Sequence, residues 1–142
     1  MRLWHQQLIP YLNRQHLLAQ WREVVGMLGN GWGKKHKTID YAFQYSENRL
    51  IAFALLVIDE MHKRGYKPNE SLIQTALVER RNKTQEEFET LLKEAQLIYE
   101  ENTIIYPEHN EEYLQECVKL LIEKGYPIDF YKKWWYNINI KS

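Results

Sequence analysis

Asn13 stands directly ahead of a run in which Leu17, Leu18, Trp21, Val24, Val25 and Leu28 keep the 3.6-residue period of an α-helix, and Gly29-Asn30-Gly31 ends it. The same pattern of cap, apolar stripe and glycine stop returns along the chain. Ser46 or Asn48 opens the most apolar helix, which carries Leu50 through Met61 and closes at Lys63-Arg64-Gly65, with glycine at the left-handed cap. Pro68 and Asn69 introduce a shorter helix over Leu72, Ile73, Ala76 and Leu77. Thr84-Gln85-Glu86-Glu87 has the form of a capping box ahead of Phe88, Leu91, Leu92, Ala95 and Ile98. Pro107 breaks the chain, and a last helix from about Glu111 to Lys124 stops at Gly125. Residues 40 to 45 are aromatic and fit a short strand or irregular structure equally well. The expected architecture is all-α: one compact helical domain over residues 1 to 142, with long loops and a basic aromatic tail from Phe130 onward.

Several classes of function fall away at this point. No apolar run approaches the roughly 20 residues of a membrane-spanning helix. The opening Met1-Arg2-Leu3-Trp4-His5 has neither the apolar stretch nor the cleavage site of a secretory signal. A single cysteine, Cys117, forms no internal disulfide and suits a reducing, cytoplasmic setting. It lies between Leu114 and Leu121 at helical spacing, so it is expected to be a buried thiol. His5, His16, His36, His62 and His109 are scattered without metal-ligand spacing, so no metal site is expected. All but His16 read as surface or capping residues.

The formal charge is zero, with Lys+Arg 19 against Asp+Glu 19. Its distribution is uneven. Residues 1 to 37 hold six bases (Arg2, Arg14, Arg22, Lys34, Lys35 and Lys37) and one acid, Glu23, whereas residues 84 to 130 hold twelve acids and three bases. The final twelve residues carry Lys132, Lys133 and Lys141 and no acid. An acidic half framed by two basic segments implies a polarised surface, one face of which suits a polyanion.

At 100° per residue His16, Ala19, Glu23 and Gly26 share one stripe of the first helix, with Gln15 and Arg22 beside it and the apolar set opposite. The lone acid of the basic segment therefore shares a face with a histidine and an arginine. Two small stripe residues let another part of the chain come close. Composition alone would make Glu23 a surface carboxylate paired with arginine.

The block Gln15-His16-Leu17-Leu18-Ala19-Gln20-Trp21-Arg22-Glu23 resembles the first-helix motif of the pyrimidine-dimer DNA glycosylases of the phage endonuclease V type. Met1-Arg2-Leu3, the loop Gly31-Trp32-Gly33-Lys34-Lys35-His36 and the helix end Glu60-Met61-His62-Lys63-Arg64-Gly65-Tyr66 are similar to further family segments in the same order. Pro127 with Phe130-Tyr131-Lys132 is similar to the family's tail. The likeness thins between Asn69 and Asn110.

The resemblance implies a cofactor-free, all-α glycosylase and abasic-site lyase whose nucleophile is the N-terminal α-amine. It makes Glu23 the residue that stabilises the developing sugar cation and serves the proton transfers, with Arg22 and His16 beside it. An ordinary α-amine titrates near ~7.7–8.0, so part of it is neutral and nucleophilic at physiological pH. A single negative charge amid bases is what a cationic transition state in a phosphate-holding site requires. Arg2, Arg14, Arg22, Lys34, Lys35 and His36 are expected to meet DNA, the bases mainly through phosphates, and Gln15 and His16 to work beside the distorted sugar and bases. Tyr131, Trp134 and Trp135 are expected to stack near unstacked bases or to close the bundle, and Lys132 and Lys133 to anchor the tail. The expected partner is double-stranded DNA carrying a base lesion, met by a monomer without metal or membrane.

The chain departs from the family pattern in three places. Arg2 is too bulky a neighbour for removal of the initiator, so Met1 itself is expected to be the nucleophilic terminus. Gly26 stands where the phage member carries another arginine. The net charge is zero where that member is basic. The last two departures favour an alternative, a non-catalytic helical nucleic-acid-binding protein on the same scaffold. The acidic second half admits a third reading, an α-helical protein-interaction module.

Overall fold

The computed structural model describes residues 1 to 101, 104 to 128 and 130. Helix α1 spans Arg14–Leu28, and Asn13 caps it by accepting the His16 N–H at 2.8 Å. Helix α2 spans Glu47–Lys63 behind Ser46, with Gly65 at φ 82 beyond its end. A single turn, α3 (Ser71–Gln74), widens into a π-helical segment, Thr75–Arg80. Helix α4 spans Gln85–Glu100, and Thr84 and Glu87 form the expected reciprocal box. Helix α5 spans Glu111–Glu123, with Gly125 at φ 105. There is no strand among the described residues. The all-α expectation holds, and the aromatic stretch that the sequence left open is a 3-10 helix, Asp40–Gln44.

α2 is the axis of the packing. Its Leu50, Ile51, Ala52, Phe53, Ala54 and Val57 are fully buried, with α1 against one side and α4 against another. Each large side chain sealed this way stabilises the fold by about 1.5–3 kcal/mol. A second 3-10 helix, Gln6–Tyr11, which the sequence analysis did not foresee, lies across α2 and buries Leu8 and Ile9. Pro10 within it, and the absence of a 3.6-residue period, hide it from pattern reading. Helix α5 closes the N-terminal segment rather than α2: Leu114, Cys117, Val118 and Leu121 are buried, and the Tyr113 hydroxyl donates to the Leu3 carbonyl. Cys117 is thus the buried thiol expected of it.

Two histidines expected at the surface or as caps sit inside. His109 is buried among Tyr41, Tyr106, Tyr113 and Phe53 and stacks on His5 at 5.3 Å. Burial, with His5 beside it, drives its pKa down to about 3. The neutral ring accepts the Gln6 N–H at Nδ1 (3.1 Å), which leaves its proton on Nε2 for the Tyr41 hydroxyl at 2.7 Å. His5 does act as a cap, accepting the Gln7 N–H, but from a buried position. Much of the heavy aromatic content is spent in this cluster beneath the N-terminus. The tail residues Tyr131, Lys132, Lys133, Trp134 and Trp135 lie outside the described residues.

Candidate active site

The chain enters the core at its third residue. Leu3, Trp4 and His5 are buried, whereas Met1 is 55% exposed and stays at the surface. Successive main-chain groups of this segment are tied to different parts of the fold. The Met1 carbonyl accepts from the Thr38 hydroxyl, the Arg2 carbonyl from Gln20 Nε2 at 3.0 Å and the Leu3 carbonyl from Tyr113. The Trp4 N–H donates to Gln20 Oε1 at 2.7 Å. A terminus pinned residue by residue is held in place before any ligand arrives.

The pinned end opens on a cavity of about 360 Å³ lined by Met1, Arg2 and Trp4, by His16, Ala19 and Glu23 of α1, by His36 and Thr38 of the following loop, and by Leu120 and Lys124 of the last helix and its cap. The stripe read from the first helix therefore does line one wall. Gly26 continues it: a Cβ added there would meet nothing within 4 Å.

Glu23 is the one acid among the described residues that line this cavity. Burial raises its pKa above the ordinary carboxylate value, against the pull of the terminal ammonium, the Arg2 main-chain N–H, Arg22 and His36. Desolvation outweighs their combined pull. The carboxylate also accepts from Gln20 Nε2 at 3.3 Å.

His16 stacks on Tyr126 (centroids 5.4 Å, planes 7° apart), with Nδ1 2.8 Å from the tyrosine hydroxyl. That hydroxyl also accepts the Asn13 N–H at 2.7 Å. Burial, and then the charge of Lys124, lower the His16 pKa, so the ring is neutral at physiological pH. The neutral ring and the hydroxyl share one hydrogen bond, in which Nδ1 accepts when the imidazole proton is on Nε2 and donates when it is on Nδ1.

Other expected contacts fall where side-chain chemistry sends them. Arg2 lies against the rings of Tyr113 (5.7 Å) and Trp4 (6.0 Å) and pairs with Glu116 at 3.5 Å. Its guanidinium is partly neutralised within the protein. Arg14, exposed, crosses the Tyr66 ring at 5.6 Å. Gln15, Arg22, Lys34 and Lys35 are exposed and lie outside the cavity lining, though the charge of Arg22 reaches Glu23.

The basic loop is shaped by its neighbours. Gly31 brings its N–H to the Gly26 carbonyl at 2.9 Å, where any Cβ would stand 2.8 Å from that oxygen. Trp32 then anchors the loop edge-on to Phe43 at 4.9 Å, with the Arg81 guanidinium 4.8 Å from the ring. His36 donates its N–H to Asp40 at 2.7 Å. The Thr38 hydroxyl gives its one proton to Met1, so at 3.0 Å His36 Nδ1 is the donor to Thr38. His36 thereby supports the terminus as well as lining the cavity.

The model of the family described as pyrimidine dimer DNA glycosylase matches residues 1–74. The chain belongs to that family. The match takes in the N-terminal segment, α1, the basic loop and α2, which contribute eight of the ten cavity-lining residues. No curated protein and no solved structure matches the chain. Leu120, Lys124 and Tyr126 complete the site from outside the family match. Sequence reading missed Gln20, Thr38, Lys124 and Tyr126. Only Gln20 and Thr38 carried a signal, as polar residues close in sequence to Glu23 and to the basic loop. No helix among the described residues is long and apolar enough to cross a membrane, and no cluster there could hold a metal ion.

Proposed function

We propose that this family member is a DNA glycosylase with abasic-site lyase activity on duplex DNA carrying pyrimidine-dimer-like damage, with the α-amine of Met1 as nucleophile. The observation that carries the reading is the pinned, exposed terminus opening on the same cavity as Glu23, whose carboxyl feels the terminal charge. The amine lone pair forms a bond to the deoxyribose anomeric carbon and the glycosidic bond to the base breaks. The base leaves with the bonding pair and takes up a proton. Ring opening turns the amine adduct into an imine, and the ring oxygen takes up a proton. Loss of a proton from C2′ then expels the 3′ phosphate by β-elimination, and water releases the terminus from the product.

Glu23 serves this sequence in two ways. As a carboxylate it stabilises the sugar cation that develops as the base departs, and as a base it accepts protons from the amine and from C2′. Its raised pKa places it closer to neutrality, where taking and returning protons is most effective. His16, neutral and held by the Tyr126 hydroxyl, offers an uncharged ring nitrogen to the DNA. Arg22, Lys34 and Lys35 position the duplex through phosphates, Arg14 and Gln15 add further contacts, and Arg2 and His36 meet the DNA from the cavity lining.

Borohydride trapping tests the proposal. Protein whose intact mass shows an unmodified Met1 terminus should form a covalent adduct with duplexes holding an abasic site or a cyclobutane dimer. The adduct should be lost on N-terminal extension, and dimer-dependent trapping should be lost in Glu23→Gln. Salt-sensitive duplex binding with neither adduct nor strand cleavage would refute it in favour of a non-catalytic DNA-binding role.

A further inference from the structure

Gln20 is fully buried at 0% exposure, one of three polar residues in the core of the described chain. Every hydrogen of its amide is used. Oε1 accepts the Trp4 N–H at 2.7 Å, and Nε2 donates to the Arg2 carbonyl at 3.0 Å and to Glu23 Oε2 at 3.3 Å. The partners settle which way the amide points. Turned over, it would set NH2 against an N–H and oxygen against two acceptors. The two main-chain bonds bracket Arg2 to Trp4, the stretch that carries the terminal residue. The third reaches one helical turn along α1 to the carboxylate. The Arg2 N–H is also directed at that carboxylate, so Gln20, the Arg2 main chain and Glu23 close a ring.

We infer that Gln20 is a positioning residue for the reaction, holding the segment that carries the nucleophile and the carboxylate that serves it in register through one amide group. The inference rests on the proposed roles of the Met1 amine and Glu23. A residue that merely tied the segment to α1 would need only the two main-chain bonds. Sharing one nitrogen between the Arg2 carbonyl and Glu23 makes the position of the acid depend on the position of the terminus. In a reaction whose nucleophile is the main chain itself, a misplacement of about 1 Å costs on the order of a hundredfold in rate.

Two variants of the untagged full-length chain test this. Gln20→Met keeps length and volume and removes every polar partner. Gln20→Glu keeps shape and the acceptor for Trp4, but sets oxygen where nitrogen served Arg2 and Glu23. The readouts are the single-turnover trapping rate, duplex affinity, and the titration of the Glu23 carboxyl by carbon NMR, assigned by its loss in Glu23→Gln.

Both variants should trap roughly ten- to a hundredfold more slowly with duplex affinity unchanged within about twofold. The Glu23 titration should move upward in Gln20→Met, through loss of a donor to the charged form, and further in Gln20→Glu, through a second carboxylate. A purely structural tie would also slow trapping, through the lost bond to the Arg2 carbonyl, but would leave the Glu23 titration in place; an unmoved titration, or trapping in Gln20→Glu close to the original, overturns the inference. Where Gln20→Met fails to fold, the Gln20→Glu comparison decides alone. Absence of any adduct with the unaltered protein would instead defeat the amine-nucleophile reading. The Glu23 titration would still report whether Gln20 governs the carboxylate.

Discussion

Replacing Gly26 by arginine separates the geometry of the groove from its chemistry. Gly26 lies in the last turns of α1, on the stripe that carries His16, Ala19 and Glu23. It is exposed, and an added Cβ meets no atom within 4 Å. Its carbonyl already receives the Gly31 N–H, a main-chain bond indifferent to the side chain. Relief of glycine's backbone entropy in a helix is worth about 0.5–1 kcal/mol, and arginine ranks among the better helix formers. Gly26→Arg should therefore raise the unfolding midpoint by about 2–4 °C.

If the stripe faces DNA, the new guanidinium adds about one phosphate contact. The slope of log affinity against log salt then steepens by about 0.9, and the gain in affinity shrinks about threefold between roughly 50 and 200 mM salt. Gly26→Ala should reproduce the stabilisation without the salt effect, and Gly26→Glu should weaken binding. Denaturant unfolding and duplex anisotropy across salt concentrations measure both quantities. A stabilised Gly26→Arg with an unaltered salt slope would show that this wall does not face the phosphates. A destabilised one would refute the open placement of residue 26.

The Glu23 carboxyl should give opposite pH dependences for stability and activity. A carboxyl whose folded-state pKa is raised contributes stability that is whole below the ordinary glutamate value and is lost as pH climbs through the raised value. Glu23→Gln should therefore match the original chain in acid and exceed it in stability at neutral pH, while activity falls by about 10²–10⁴-fold. Melting curves at several pH values check the first part, and equal melting at neutral pH contradicts it. Tyr126→Phe keeps the stack on His16 but removes the acceptor of the Asn13 N–H and the hydroxyl that holds the imidazole. It should lose about 1 kcal/mol of stability and about five- to tenfold in kcat/KM. A nitrogen spectrum of His16 with the tautomer unchanged would disprove the assigned role.

What the sequence revealed and what it concealed divide along the reach of the interactions. Helix starts and stops were legible because caps and glycines act within a turn: Asn13, Ser46 and Thr84 all cap as their side chains allow. The stripe of His16, Ala19 and Glu23 was legible because one helix fixes it. Gln20 was not, since it lies on the border between that stripe and the apolar face, and its burial depends on a second segment lying across it. Tyr126 and Lys124 reach the site from more than 100 residues away through the packing of α5, so no local pattern announces them. His109 misled for the same reason: the tyrosines that enclose it come from separate elements.

The zero net charge misleads in the same way as local pattern does, by averaging over distance. Around the cavity stand the terminal amine, Arg2, His36 and Lys124, with Glu23 the only acid among the described lining residues, while Glu116, outside the lining, pairs with Arg2. Field in a cleft depends on what lines it rather than on the sum over the chain. That arrangement also explains the energetic oddity of Glu23. Flanking cations would ordinarily depress a carboxyl, yet burial beneath the N-terminal segment overrides them and leaves it raised. A fold selected for stability alone would expose that side chain or replace it with its amide. Keeping it ionisable, half-buried and bonded to Gln20 costs stability, which fits the catalytic role proposed for the carboxylate.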